Sequence, residues 1–118
     1  RGGLATYIHK PLKLETSSGN EYSLHTKIIL PNSQRINIVN IYIPPTTSLT
    51  KRNILETHAT TQVETILDNI QPQLITLICG DFNARIGSSI PDLEEEHPKR
   101  QAMDQHICPR APWFLQLC

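Results

Sequence analysis

The residues best suited to chemistry are Asp81 and Asn83, set two apart in Gly80-Asp-Phe-Asn83, directly after the apolar run Leu74-Ile-Thr-Leu-Ile-Cys79. A short apolar run closed by glycine reads as a buried strand. Asp81 and Asn83 then fall at the strand's carboxyl end, where open α/β sheets bind ligands. Gly80 frees the backbone to turn and leaves room for a close approach. An aspartate can take a proton from water or hold a hard cation, and an asparagine can grip a phosphate oxygen without adding charge. Hydrolysis of a phosphodiester needs both jobs done. Both residue types also form turns by bonding their own backbone, so the motif alone leaves a plain turn open. Tyr42 is the third candidate, just before Ile43-Pro-Pro45. From there its phenol can reach the same sheet edge as Asp81 and donate toward charge developing on a phosphoryl oxygen. The alternative for Tyr42 is core filler.

The elements that must position these groups can be read from spacing. Residues 35–43, Arg-Ile-Asn-Ile-Val-Asn-Ile-Tyr-Ile, are rich in β-branched residues and apolar on both faces, as a mid-sheet strand requires. Residues 24–30 alternate, with Leu24, Thr26, Ile28 and Leu30 on one face. The connection Pro31-Asn-Ser-Gln34 makes the two an antiparallel hairpin over residues 23–43. Pro44-Pro45 stops the second strand because neither residue can donate to a ladder. Thr46-Thr-Ser48 offers an N-cap. Leu55, Ala59, Val63, Ile66, Leu67 and Ile70 then form one helical face across residues 51–70, with Glu56, Glu64 and Asp68 outward. Gln71-Pro-Gln73 ends that helix. Strand, helix and strand in this order predict a crossover unit packed on a sheet.

The flanks carry weaker signals. Leu4-Ala-Thr-Tyr-Ile8 reads as a strand, and residues 12–22 as a polar stretch turning at Ser17-Ser-Gly-Asn20. Asp92, Glu94, Glu95 and Glu96, followed by His97, read as a solvated loop. Cys108-Pro-Arg-Ala-Pro112 delays any terminal helix to Pro112 or later. His9, His25 and His58 read as isolated and solvent-facing.

At 118 residues the chain is at most one domain, and its eleven basic residues balance eleven acidic ones. No strong field therefore advertises nucleic acid, a membrane or an acidic substrate, although a local patch would suffice for DNA. No apolar run approaches the roughly 20 residues that span a bilayer, and there is no signal-peptide pattern. Cys79, Cys108 and Cys118 are too few and too irregular for a disulfide framework, which suits an intracellular setting. His97, His106, Cys108 and Cys118 lack the pair spacing of a zinc site. No nucleophile elbow or glycine-rich phosphate loop is present. The opening Arg1-Gly-Gly and the apolar close Trp113-Phe-Leu-Gln-Leu-Cys118 read as the cut ends of a longer domain.

Gly80-Asp-Phe-Asn-Ala84, preceded by Asn40-Ile-Tyr-Ile-Pro-Pro45 and by Arg1-Gly-Gly-Leu-Ala5, resembles the endonuclease/exonuclease/phosphatase superfamily. Within it the chain is most similar to the apurinic-type endonuclease domains of non-LTR (LINE-like) retrotransposons, and resembles the central portion of such a domain across residues 1–118. The resemblance implies a DNase I-like, two-sheet α/β sandwich, incomplete at both ends, and Mg²⁺-dependent cleavage of a phosphodiester. By position, Asp81 would orient and deprotonate the attacking water, Asn83 would contact the scissile phosphate and Tyr42 would support the transition state. It further implies a nuclear protein whose partners are DNA and a reverse-transcriptase domain, and whose nick leaves a 3′ hydroxyl that primes reverse transcription. The family's metal-holding glutamate, a partner asparagine and a Ser-Asp-His-like motif have no counterparts in the sequence. Asp81 is the one candidate metal ligand, and the chain by itself is expected to be inactive. Cys108 and Ala111 stand where the family usually has Asn and Gly. The competing expectations are a non-enzymatic remnant acting through a partner, and a phosphoesterase of the same superfamily with a small phosphate or lipid substrate.

Overall fold

The computed structural model describes residues 3–45, 49–85 and 106–117, with side chains from 57 onward in the helix that begins at 49. It forms two compact units, residues 1–82 and 83–118. The first is α/β: β1 (Lys13–Gly19), β2 (Ser23–Ile29), β3 (Arg35–Tyr42), α1 (Leu49–Asp68) and β4 (Ile75–Asp81). The second contains α2 (Ala111–Leu117). The expected N-cap at Thr46–Ser48, the side chains of Leu55 and Glu56, the acidic run from Asp92 to Glu96, His97 and Cys118 lie outside the described residues.

The strands form one sheet in the order β1-β2-β3-β4. β1 and β2 pair antiparallel, β2 and β3 likewise, and β3 and β4 pair parallel across α1. The hairpin and the crossover unit read from the sequence are both present. Ser33 turns the hairpin with a positive φ of 65°, and its N–H donates to the Leu30 carbonyl at 2.9 Å. The core centres on Val39, Ile41 and Ile43, with Ala59 and Val63 of α1, each at most 1% exposed. Burying an Ile or Val side chain stabilises by about 1.5–3 kcal/mol, so this cluster is the main reason α1 forms. Its own sequence, rich in threonine, is a poor helix former. Ile66, Leu67 and Ile70 are half-buried and Glu64 and Asp68 exposed, as the apolar spacing requires. At the helix end Asn69 Nδ2 donates to the Thr65 carbonyl at 2.6 Å.

Four expectations need correcting. Residues 4–8 are extended but join no ladder; they carry no strand pairing. The polar stretch is β1, an edge strand exposed along its whole length; its partner β2 supplies the ladder, so apolar alternation was never needed. The turn begins three residues later, at Asn20, whose Oδ1 accepts from the Tyr22 and Ser23 backbone N–H groups at 3.0 and 2.9 Å. β4 is not a buried strand, since Ile75 and Leu77 are 62% and 55% exposed. It lies at the end of the described sheet, with only its Thr76 and Ile78 side half-buried. His25, read as solvent-facing, is half-buried and bonded through Nε2 to Asn37 Oδ1 at 2.9 Å.

That last contact belongs to a polar chain on the helix-covered face. Thr76 Oγ1 donates to the Leu74 carbonyl at 3.3 Å and accepts from Asn37 Nδ2 at 3.2 Å. Asn37 Oδ1 must then accept, which places a proton on His25 Nε2. Asn37 is fully buried. Replacing it with leucine keeps the volume but strands two partners, at about 1–3 kcal/mol for a buried group left unsatisfied. Urea denaturation of Asn37→Leu is expected to show an unfolding free energy lower by that amount, seen as a lower midpoint with an unchanged slope.

Tyr22 packs edge-on against His58, ring centroids 5.7 Å apart. Burial, with Glu21 adding, raises its phenol above the ordinary value of 10.0. The neutral phenol therefore favours the fold, a contribution complete below the unfolded value and lost as pH rises through the folded one. At the opposite end of the sheet Arg35 Nε meets Glu15 Oε1 at 2.7 Å, an exposed pair of small energetic weight.

Candidate functional site

The parallel register between β3 and β4 brings two of the three sequence-chosen residues together. Ile41 stands opposite Gly80, and Tyr42 opposite Asp81. Paired residues on neighbouring strands project to the same face of a sheet. Tyr42 and Asp81 are therefore side by side at the carboxyl end of the sheet, on the face opposite Ile41 and Ile43. Both are exposed, Tyr42 by 42%, so Tyr42 is not core filler.

The backbone pins this end from both sides. The Tyr42 N–H donates to the Tyr22 carbonyl at 2.9 Å, and the Ile43 N–H donates to the Asp81 carbonyl at 2.9 Å. Within the ladder Gly80 precedes Asp81 with φ of +142°, a conformation L side chains rarely adopt. A Cβ placed there would meet the Ile41 carbonyl oxygen at 1.8 Å. The close approach expected at this glycine is thus made by the neighbouring strand. Its effect is to seat Asp81 against Tyr42.

Asn83 opens the second unit. Its φ of 47° is left-handed, which asparagine tolerates better than most residues because its short amide can bond locally. In that unit the Arg85 N–H donates to Cys108 Sγ at 3.2 Å and the Cys108 N–H returns to the Arg85 carbonyl at 2.8 Å. Cys108 thus closes a reciprocal loop between residues 85 and 108. Helix α2 follows, beginning at Ala111 with Pro112 in its first turn, one residue from the start read in the sequence.

Comparison with protein-family models, with curated proteins and with solved structures finds no match.

Among the described residues no three His, Cys, Asp or Glu side chains converge as a metal-holding group. Mg²⁺ keeps most of its waters and is usually held through one or two carboxylates together with substrate phosphates. A single carboxylate at Asp81 does not make such a site by itself. What the described residues offer is an exposed carboxylate beside an exposed phenol, a base next to a hydrogen-bond donor. Two further features were not legible as site components. One is the pairing of Gly80 with Ile41, which depends on register. The other is Asn40, which shares the Tyr42 face and has a place in the sequence motif Asn40–Pro45 but no role assigned to it there. Alternation along β3 was the available signal for Asn40.

Proposed function

We propose that this chain is the central portion of a Mg²⁺-dependent endonuclease domain of the DNase I-like, two-sheet class, from a retrotransposon protein that nicks DNA to prime reverse transcription. The observation that supports this reading is the Tyr42–Asp81 register pair at the carboxyl end of parallel strands. A phosphodiester seated there meets a carboxylate able to take the proton of an attacking water and a phenol able to donate to the phosphoryl oxygen. The sequence resemblance, rather than any placement, is what makes Asn83 the residue proposed to contact the scissile phosphate. Mg²⁺, when bound in the complete domain, would neutralise charge on the phosphate. The groups that hold it are expected outside the described residues, and the chain by itself is expected to leave DNA uncut. In the parent protein the partners are DNA and a reverse-transcriptase domain, and the place of action is the nucleus.

The test is the reading frame that encodes the chain. Extended in both directions, expressed and given supercoiled plasmid with Mg²⁺, its product should convert the plasmid to open circles, and EDTA should stop it. An extended product that folds and never nicks overturns the proposal.

A second reading has one specific observation behind it. Ile75 and Leu77 are exposed on β4, which ends the described sheet, and an apolar strand so placed favours association. A non-enzymatic protein acting through self-association or a partner would then run as more than a monomer in size-exclusion chromatography. A cooperatively melting monomer would count against it.

A further inference from the structure

Asn40 lies on the same face of β3 as Tyr42, one alternation earlier, and opposite Cys79 as Tyr42 lies opposite Asp81. Its Nδ2 donates to the Ala5 carbonyl at 3.2 Å. A carbonyl oxygen can only accept, so the amide nitrogen faces Ala5 and Oδ1 is left turned away from it. Residues 3–9 form an extended segment in which Leu4, Thr6 and Ile8 are half-buried and Ala5, Tyr7 and His9 face outward. Among the described residues, the Asn40 bond is the one hydrogen bond between this segment and the sheet. The bond lies in an exposed setting, so satisfaction of a buried amide does not account for it. Its consequence is positional.

The direction of the segment gives that position meaning. The His9 carbonyl accepts from the Leu12 N–H at 2.9 Å, and Lys13 begins β1 opposite Ile29, at the Arg35 end of β3. Read backward, the chain runs from that end to Ala5 beside Asn40, and the same heading carries Gly3 toward the level of Tyr42. Nothing lies within 4 Å of a Cβ built on Gly3, so the segment leaves open space at this point.

We propose that Asn40 is a positioning residue of the Tyr42–Asp81 site: it fixes residues 3–9 against the sheet so that their backbone walls the place where a DNA phosphodiester seats. The proposal rests on the phosphodiesterase reading above. It assigns Asn40 no contact with the reacting atoms.

The test uses the full chain with Asn40→Leu, which keeps volume and loses the donor, and Asn40→Thr, a β-branched replacement that suits a strand should the first fail to fold. Two measurements are made: limited proteolysis by chymotrypsin, for which Tyr7 of the segment is 97% exposed, and fluorescence anisotropy with a short DNA duplex. The chain should bind the duplex with a Kd on the order of 0.1 mM, in the range of sequence-independent contacts. Loss of one hydrogen bond should speed cleavage after Tyr7 about fivefold while the sheet stays uncut. Duplex affinity should fall by about the same factor. Unchanged cleavage overturns the proposal, and so does faster cleavage with unchanged affinity, which would make the bond merely structural. Tyr42→Glu sets a carboxylate at the phosphate's seat, on an exposed position opposite Asp81, and separates the two claims. If it leaves affinity intact, or if the chain binds no duplex, the phosphodiesterase reading falls and this proposal with it. If it weakens binding while the Asn40 variants do not, this proposal falls alone.

Discussion

Gly80→Ala is expected to cost more than about 4 kcal/mol, a size reserved for changes that break a named structural requirement. The new Cβ would lie 1.8 Å from the Ile41 carbonyl oxygen and 2.7 Å from both the Ile41 carbonyl carbon and the Ile41 nitrogen. All three are backbone atoms of a residue with no exposed surface, in the middle of a paired strand. No side chain can swing aside to make room. The backbone angle adds its own penalty, since φ of +142° is open to glycine and strained for alanine by about 1–3 kcal/mol. A domain of this size holds only about 5–15 kcal/mol in total. The variant should therefore either fail to melt cooperatively or lose protection along residues 75–81 while β1, β2 and β3 keep theirs. Thermal melting by circular dichroism and hydrogen exchange distinguish the two outcomes. Gly3→Ala is the matched control, because a Cβ there meets nothing within 4 Å, and it should melt with the parent. A Gly80→Ala chain that melts within a degree or two of the parent would refute the β3–β4 register from which the site is built.

How much of this was legible in the sequence depends on which physical signal each element carries. β2, β3 and α1 bury a face, and burial leaves a period in the sequence, so their types and their order could be read. β1 buries nothing. It exists because β2 offers an unpaired edge, and a strand held by backbone bonds alone leaves no pattern among its side chains. β4 misled in the other direction: an apolar run of that length signals burial on both faces, yet Ile75 and Leu77 stand exposed in the described sheet. Residues 4–8 alternate like a strand and pack like one, with Leu4, Thr6 and Ile8 inward, but they find no ladder. The alternation therefore reported the face and not the pairing.

The site divides along the same line. Asp81 and Tyr42 could be chosen as residue types at strand ends, because Gly80 and Pro44-Pro45 punctuate the sequence there. That they stand opposite one another is a statement of register, and register is set by the whole sheet. Slipping β4 by one residue would bring Asp81 opposite Ile41 or Ile43 and onto the helix-covered face. Gly80 suits the observed register, since at its φ of +142° the two backbones come too close opposite Ile41 to admit a Cβ. The same residue that marks the strand end in the sequence thus suits the pairing that sets Asp81 opposite Tyr42.

Asp81→Asn is expected to lower plasmid nicking by the extended protein by about 10²–10⁴-fold, the usual contribution of a positioned general acid or base. The substitution keeps the shape of the side chain and its place opposite Tyr42, and it leaves in place the backbone bond from Ile43 N–H to the Asp81 carbonyl that ties the strand ends together. Thermal melting of Asp81→Asn within a degree or two of the parent is therefore part of the expectation. Tyr42→Phe removes a donor to developing charge and should cost less, about 10–10²-fold, below the loss typical of a dedicated oxyanion donor because this phenol is 42% exposed and solvent competes for the same oxygen. The two losses should not multiply in the double variant. Residues that act on one phosphoryl group in one step fail together, and a side-by-side register makes Tyr42 and Asp81 such a pair. Full multiplication of the two effects, or a Tyr42→Phe loss exceeding that of Asp81→Asn, would separate their roles and leave the shared register without chemical meaning.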